Sequence, residues 1–141
     1  MECSSDSTAM SPPPIHVYIV DDDPSVRTAY ARLLRSATLE AHTFSCVEEF
    51  LNATVTDANA CVVSDVVMHG TSGLELPDKL AHSGRKIPVI FITAHDSKEL
   101  RDKAQSLGAV ALFRKPVDGQ ALLDAIAWAV AKTRASSPAT G

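Results

Sequence analysis

The stretch IHVYIVDDDPSV, residues 15–26, joins a β-branched apolar run directly to three consecutive carboxylates and a proline. Ile15 to Val20 reads as a strand: short, rich in branched side chains, and stopped by turn-forming residues. Asp23-Pro24 reads as a helix start, an N-cap followed by the residue whose fixed φ suits the first helical position. Asp21 and Asp22 are left at the C-terminal end of the strand. Two like charges repel there, and nothing in a fold requires them.

The same pattern recurs along the chain. Apolar runs IHVYIV, TLEAHTF, ACVVS, IPVIFIT and AVALF each precede a stretch with helical spacing. The spacing predicts strands β1 over 15–20, β2 over 39–44, β3 over 60–64, β4 over 88–93 and β5 over 109–113. Between and after them it predicts helices α1 over 24–36, α2 over 46–53, α3 over 72–82, α4 over 97–107 and α5 over 119–133. Val26, Ala29, Tyr30, Leu33 and Leu34 form one helical face, as do Ala121, Leu122, Ala125, Ile126, Ala129 and Val130. Ser45 with Glu48, and Asp96 with Glu99, have capping-box spacing. Gly84 and Gly108 follow helical stretches, where a left-handed residue ends a helix. Strict alternation with continuous apolar strands implies an α/β fold, a parallel sheet covered by helices on both faces.

Such sheets bind ligands in the crevice beyond the C-terminal ends of their strands. Asp21 and Asp22 end β1, Asp65 ends β3, Thr93 ends β4, and Lys115 follows β5 ahead of Pro116. Crowded carboxylates stay ionised when a cation joins them. All-oxygen donors suit a hard ion such as Mg²⁺. A carboxylate beside Mg²⁺, an ammonium and a hydroxyl is equipped to receive a phosphoryl group. Taken singly, the acids read as strand-end caps, Thr93 as a strand residue and Lys115 as a surface charge; their joint placement carries the functional reading.

Bulk properties exclude other classes. The 141 residues are 45% apolar and 21% charged, with a formal net charge of −4. That size fits one domain with a real core. The negative balance argues against nonspecific nucleic-acid binding and against an anionic membrane surface. No apolar run approaches a membrane span, and the N-terminus lacks the basic start and apolar stretch of a secretory signal. Cys3, Cys46 and Cys61 show no zinc pattern and no disulfide framework, so a cytoplasmic, reducing location is expected. Residues 1–13 and 135–141 read as flexible tails around an ordered region over 14–134.

The pieces VDDDPSVR, SDVVMHGTSGLEL, IPVIFITAHD and GAVALFRKP, in this order and at this spacing, resemble a bacterial two-component response-regulator receiver domain. The branch it resembles often carries a C-terminal helix-turn-helix domain, and no such output domain is expected after α5 here. The resemblance implies a flavodoxin-like doubly wound sheet of five strands in the order 2-1-3-4-5. It implies Asp65 as phosphoacceptor, Asp21 and Asp22 as the acidic pair on the metal, the Val67 backbone carbonyl as a further metal oxygen, Thr93 as switch hydroxyl and Lys115 as phosphoryl partner. Pro116 matches the residue usually preceded by a cis bond. Asp23 is left as the α1 cap. The resemblance further implies a histidine kinase or histidine phosphotransfer protein as phosphodonor. It implies a protein target at the α4–β5–α5 face and phosphorylation-dependent homodimerisation as one form of output, while the negative charge leaves no nucleic acid or membrane partner expected.

The chain departs from the family pattern in places. His69 stands where proline is usual, which removes a fixed φ and loosens the β3–α3 loop. Pro77 within α3 kinks it or delays its start. Leu112 replaces the aromatic that usually stands three before the lysine, with Phe113 beside it, so the usual aromatic readout is not expected. His69 and His95 read as loop histidines, and Trp128 as a packing residue of α5. The rival readings are a phosphorylation-independent scaffold and a Mg²⁺-dependent phosphohydrolase. The latter class places its nucleophile after the first strand and not after β3.

Overall fold

The apolar strands assemble into one parallel sheet ordered β2-β1-β3-β4-β5. The computed structural model describes residues 14–68 and 71–135. The strands are β1 His16–Val20, β2 Glu40–Phe44, β3 Ala60–Asp65, β4 Val89–Thr93 and β5 Ala111–Arg114. The helices are α1 Pro24–Ser36, α2 Val47–Asn52, α3 Leu76–His82, α4 Lys98–Ser106 and α5 Gly119–Ala135, with a 3₁₀ turn at Gly73–Glu75. The tails expected over 1–13 and 135–141 lie outside the described residues, save Ala135, the last residue of α5. His69 also lies outside them, and with it the expected loosening of its loop.

Period-two alternation along each strand divides the core between the two faces. Tyr18, Val20, Val62 and Phe91 meet Phe50 of α2, Leu76 and Leu80 of α3, and Ala104 of α4. Val17, Ile19, Cys61, Ile90 and Ile92 meet Ala31 and Leu34 of α1 and Leu122, Ile126, Ala129 and Val130 of α5. β3 is buried along all six residues, as a central strand covered on both sides must be. Each fully buried large side chain stabilises by about 1.5–3 kcal/mol relative to exposure. Burial pushes the Cys61 thiol pKa up, which fits a packing residue.

Several local expectations shift. The α2 cap is Cys46, whose Sγ accepts from Glu49 N at 3.4 Å, and Glu49 reaches back to Ser45 N at 2.6 Å. The box therefore lies one residue later than Ser45 and Glu48, because Glu48 turns instead to the hydroxyl of Thr71. The α4 cap is Ser97, accepting from Leu100 N at 3.0 Å, while Asp96 pairs with Arg101 at 2.8 Å. Pro77 delays α3 rather than kinking it: it sits in the first turn, where no hydrogen bond is lost. On α1 the fully buried residues are Ala31 and Leu34, and Ala29 is exposed. Gly84 and Gly108 adopt φ of 74° and 86°, the left-handed geometry read from the sequence. Trp128 is 55% exposed, under the Lys132 ammonium at 4.9 Å from its ring centroid. It does not pack against the sheet, because the inner face of α5 is filled by smaller residues.

Candidate functional site

β1 and β3 are neighbours, yet the chain leaves β1 toward β2 on the other side, so the strand order reverses between them. A crevice opens at such a reversal because successive crossovers diverge. Asp21 follows β1 and Asp65 ends β3, so both carboxylates stand at its mouth.

Asp21 is only 2% exposed. Its Oδ1 accepts from Asp23 N at 2.9 Å, and its carbonyl accepts from Arg27 Nη1 at 2.7 Å. Arg27 thus ties the first turn of α1 to the end of β1, a contact the sequence does not announce. Asp23 points away: its exposed carboxylate accepts from Ser25 N at 2.9 Å and Ser25 Oγ at 2.8 Å and caps α1. Those two bonds hold its pKa below the usual carboxylate range. The run of three acids therefore divides as read, two at the crevice and one on the helix.

Asp65 is 8% exposed, and its Oδ1 accepts from Val67 N at 3.3 Å. Beneath it lies Gly73, whose N–H donates to Val66 O at 3.0 Å. A Cβ at Gly73 would overlap the Asp65 carbonyl oxygen. The 3₁₀ turn can approach the end of β3 this closely only because residue 73 has no side chain. Ligand oxygens of Asp21, Asp22 and Asp65 lie within 4.8 Å of one another. Val67 follows on the β3–α3 loop and is 67% exposed.

Lys115 reaches in from the end of β5. Its Nζ lies 3.1 Å from Asp65 Oδ2 and 3.4 Å from Asp21 Oδ2. The Lys115–Pro116 bond is cis, as the family resemblance implied, and Lys115 N donates to Thr93 O at 2.7 Å. Burial works against the Lys115 charge, but the Asp65 hydrogen bond and the Asp21 and Asp65 charges outweigh it and raise its pKa. For Asp21 the balance runs the other way. Burial raises its pKa in spite of the Asp23 amide and Lys115, and the Asp65 charge adds to the rise. One ammonium does not fully compensate three clustered acids. The all-oxygen donor set, short of positive charge, fits a hard divalent cation.

Thr93 is buried at the end of β4, with its hydroxyl turned to the following loop. Oγ1 accepts from His95 N at 3.1 Å and lies 3.3 Å from His95 O. Sequence reasoning placed Thr93 at the crevice; the fold brings it to the edge, with its hydroxyl held by the backbone. Leu112 is half-buried against the core that contains Phe91. Tyr30 went unnoticed as a site neighbour. It is half-buried on α1, with Lys115, Asp21 and Asp65 acting on its hydroxyl, whose pKa is raised chiefly by burial. With Val26, Ala29, Lys115, Pro116 and Val117 it lines an apolar groove beside the crevice. The helical spacing flagged Tyr30 as core; only the docking of α1 against the β5–α5 loop turns it to the site.

A family model described as "Response regulator receiver domain" matches residues 17–127. The chain belongs to that family. This receiver is 39% identical over 118 residues to "Transcriptional regulatory protein TdiR" of Thauera aromatica, covering 84% of this chain and 52% of that protein. It is 42% identical over 110 residues to "Response regulator protein TmoT" of Ectopseudomonas mendocina, covering 78% and 50% respectively. The chain spans about half the length of these curated relatives. Among solved structures, the response regulator StyR matches with a TM-score of 0.80 and 38% identity, over 91% of this chain and 66% of that one. FixJ-N matches with a TM-score of 0.74 and 29% identity, over 84% and 95%. Among the described residues, no helix is long and apolar enough to cross a membrane.

Proposed function

We propose that this receiver takes a phosphoryl group on Asp65 from the phosphohistidine of a histidine kinase or histidine phosphotransfer protein. The observation that carries the reading is the Lys115 ammonium, 3.1 Å from Asp65 and 3.4 Å from Asp21 among three clustered carboxylates. An Asp65 oxygen attacks phosphorus, the P–N bond of the donor breaks, and its imidazole leaves with the electron pair and takes up a proton. Lys115 keeps one face of the site positive as charge builds on the phosphoryl oxygens. Asp21, Asp22, Asp65 and the Val67 carbonyl would hold Mg²⁺, which when bound offsets that charge and aligns the phosphoryl group. The Thr93 hydroxyl exchanges its His95 partner for a phosphoryl oxygen, a charge-assisted and therefore stronger bond. That exchange couples the site to the β4–α4 loop. The receiver then acts as a signalling module and not as a turnover enzyme. Its target is a protein at the α4–β5–α5 face, where Trp128 stands exposed.

Incubation with acetyl phosphate and Mg²⁺ is the test. An acyl phosphate that hydroxylamine removes is expected on wild type and absent from Asp65→Asn. Labelling of Asp65→Asn at the wild-type level would sink the assignment.

A further inference from the structure

α1 carries charge of one sign. The chain as a whole has 17 Asp and Glu against 13 Lys and Arg, yet Pro24–Ser36 holds Arg27, Arg32 and Arg35 and no acid. At about 100° per residue the three fall on one flank of the helix, with Pro24, Thr28 and Ala31. That flank and Thr43 of β2 line one groove of about 360 Å³. Backbone carbonyls hold two of the guanidiniums: Arg27 Nη1 donates to Asp21 O at 2.7 Å, and Arg35 Nη2 to Ala41 O at 3.3 Å. Each contact takes one of five N–H donors and fixes the direction of the others. Arg32 is exposed and makes no hydrogen bond or ion pair among the described residues.

The neighbouring acids turn elsewhere. Asp23 binds Ser25 N, and Glu49 binds Ser45 N and Oγ at 2.6 and 2.8 Å. Glu40 projects from the other face of the sheet, since Ala41 beside it packs on the α1 side. β2 is the edge strand. Glu40 N donates to Ile15 O, and Phe44 O accepts from Asp21 N. By alternation the N–H and C=O of Ala41 and Thr43 point to the open edge. Arg35 takes the Ala41 carbonyl, and Thr43 offers extended backbone beside the arginines.

We propose that the α1–β2 groove docks an extended acidic segment of a partner protein, its carboxylates paired with Arg27, Arg32 and Arg35. The planar arginine fork matches a carboxylate through two parallel bonds. From Arg27 to Arg35 the helix rises about 12 Å at about 1.5 Å per residue. About four residues of extended chain cover that distance, and alternate side chains face one way. A segment with an acid at every second position therefore meets the whole stripe. The open edge of β2 favours an extended partner over a helical one. The net charge of −4 opposes a long polyanion such as duplex DNA. Val26, Ala29 and Tyr30 line a different groove, on the opposite flank of α1 and beside the phosphoryl site. Docking here is thus separate from phosphoryl transfer, and its test does not depend on that reading.

The test is fluorescence anisotropy of a short labelled peptide of alternating aspartate and serine, titrated with the full chain in Mg²⁺-free buffer. Saturable binding is expected, and none for the same peptide with asparagine in place of aspartate. Arg32→Gln should weaken binding by about 1.5- to 5-fold, the loss of one exposed ion pair, and Arg32→Glu should weaken it further by repulsion. Binding should also weaken between about 0.01 and 0.15 M salt, as the Debye length falls from about 30 to about 8 Å. In wild type the peptide should shift the side-chain Nε–Hε resonances of Arg27, Arg32 and Arg35 ahead of those of Arg85, Arg101 and Arg114. That measurement stands even where a variant fails to fold. Absence of saturable binding, equal binding of the asparagine peptide, or indifference to Arg32→Glu would overturn the proposal. So would tighter binding of a DNA duplex or of anionic-lipid vesicles than of the peptide, or shifts centred on Arg85, Arg101 or Arg114.

Discussion

Replacing Gly73 with alanine sets two effects of opposite sign against each other. In a helical turn alanine is favoured over glycine by up to about 1 kcal/mol, and the φ of Gly73 lies outside the left-handed region, so its backbone conformation alone admits alanine. Sterics point the other way. The new Cβ would overlap the Asp65 carbonyl oxygen, stand 2.9 Å from Ser64 Oγ and 3.0 Å from the Asp65 carbonyl carbon. The obstacle is backbone of β3, which is buried on both faces and cannot turn aside. Overpacking of this kind costs about 1–3 kcal/mol, and a rigid neighbour puts it near the upper end. Net destabilisation should be about 2 kcal/mol, or about 6–10 °C in melting temperature for a domain of this size. Gly84→Ala serves as control: nothing lies within 4 Å of its added Cβ, and only φ of 74° opposes it. It should cost about 1–2 kcal/mol by the left-handed penalty alone and leave the site untouched. Urea unfolding at constant slope gives both numbers, and acetyl phosphate labelling reads the site. Gly73→Ala should also label more slowly, because relief of the clash moves the Asp65 backbone. A Gly73→Ala protein as stable as wild type and labelled at the wild-type rate would refute the reasoning.

Burial of the Asp21 carboxylate, with a smaller push from the Asp65 charge, opposes its ionisation in the metal-free protein. Asp21 has a raised folded pKa, so its contribution is greatest below the unfolded value of about 3.9 and is lost as pH rises through the folded value. Asp21→Asn should remove that loss, raise the metal-free melting temperature at neutral pH and abolish the Mg²⁺ response. For wild type, Mg²⁺ at about 100 times its Kd should add about 2.7 kcal/mol; calorimetric melts showing no Mg²⁺ effect would count against the metal site. Thr93→Ala should leave Asp65 able to accept a phosphoryl group but diminish the amide shifts of residues 94–97 on phosphorylation, and Leu112→Ala should diminish them less. Shifts confined to β5 and α5, unaltered by Thr93→Ala, would contradict the proposed route.

The sequence by itself determined what depends on local order along the chain. Apolar runs alternating with helical spacing specify a parallel sheet covered on both faces, and the C-terminal strand ends place Asp21, Asp22, Asp65, Thr93 and Lys115 on one edge. Asp23-Pro24, Gly84 and Gly108 were legible because capping and left-handed φ are properties of one or two residues. Thr38 was not: it closes α1 at φ of 63°, with Leu39 N bonded to Leu34 O at 3.0 Å. A β-branched residue is disfavoured there on its own, and the required direction of β2 overrides that preference. The tertiary structure alone decided the direction of each polar group. Glu48 turned to Thr71 and moved the α2 box by one residue; the Thr93 hydroxyl turned to His95; Trp128 faced outward. It also decided which distant groups meet, such as Lys115 with Asp21, 94 residues apart, and His16 with His42 across two strands. Periodicity records which face of an element is apolar. Rotamer, register and the docking of one element on another are set by partners that sequence spacing does not name.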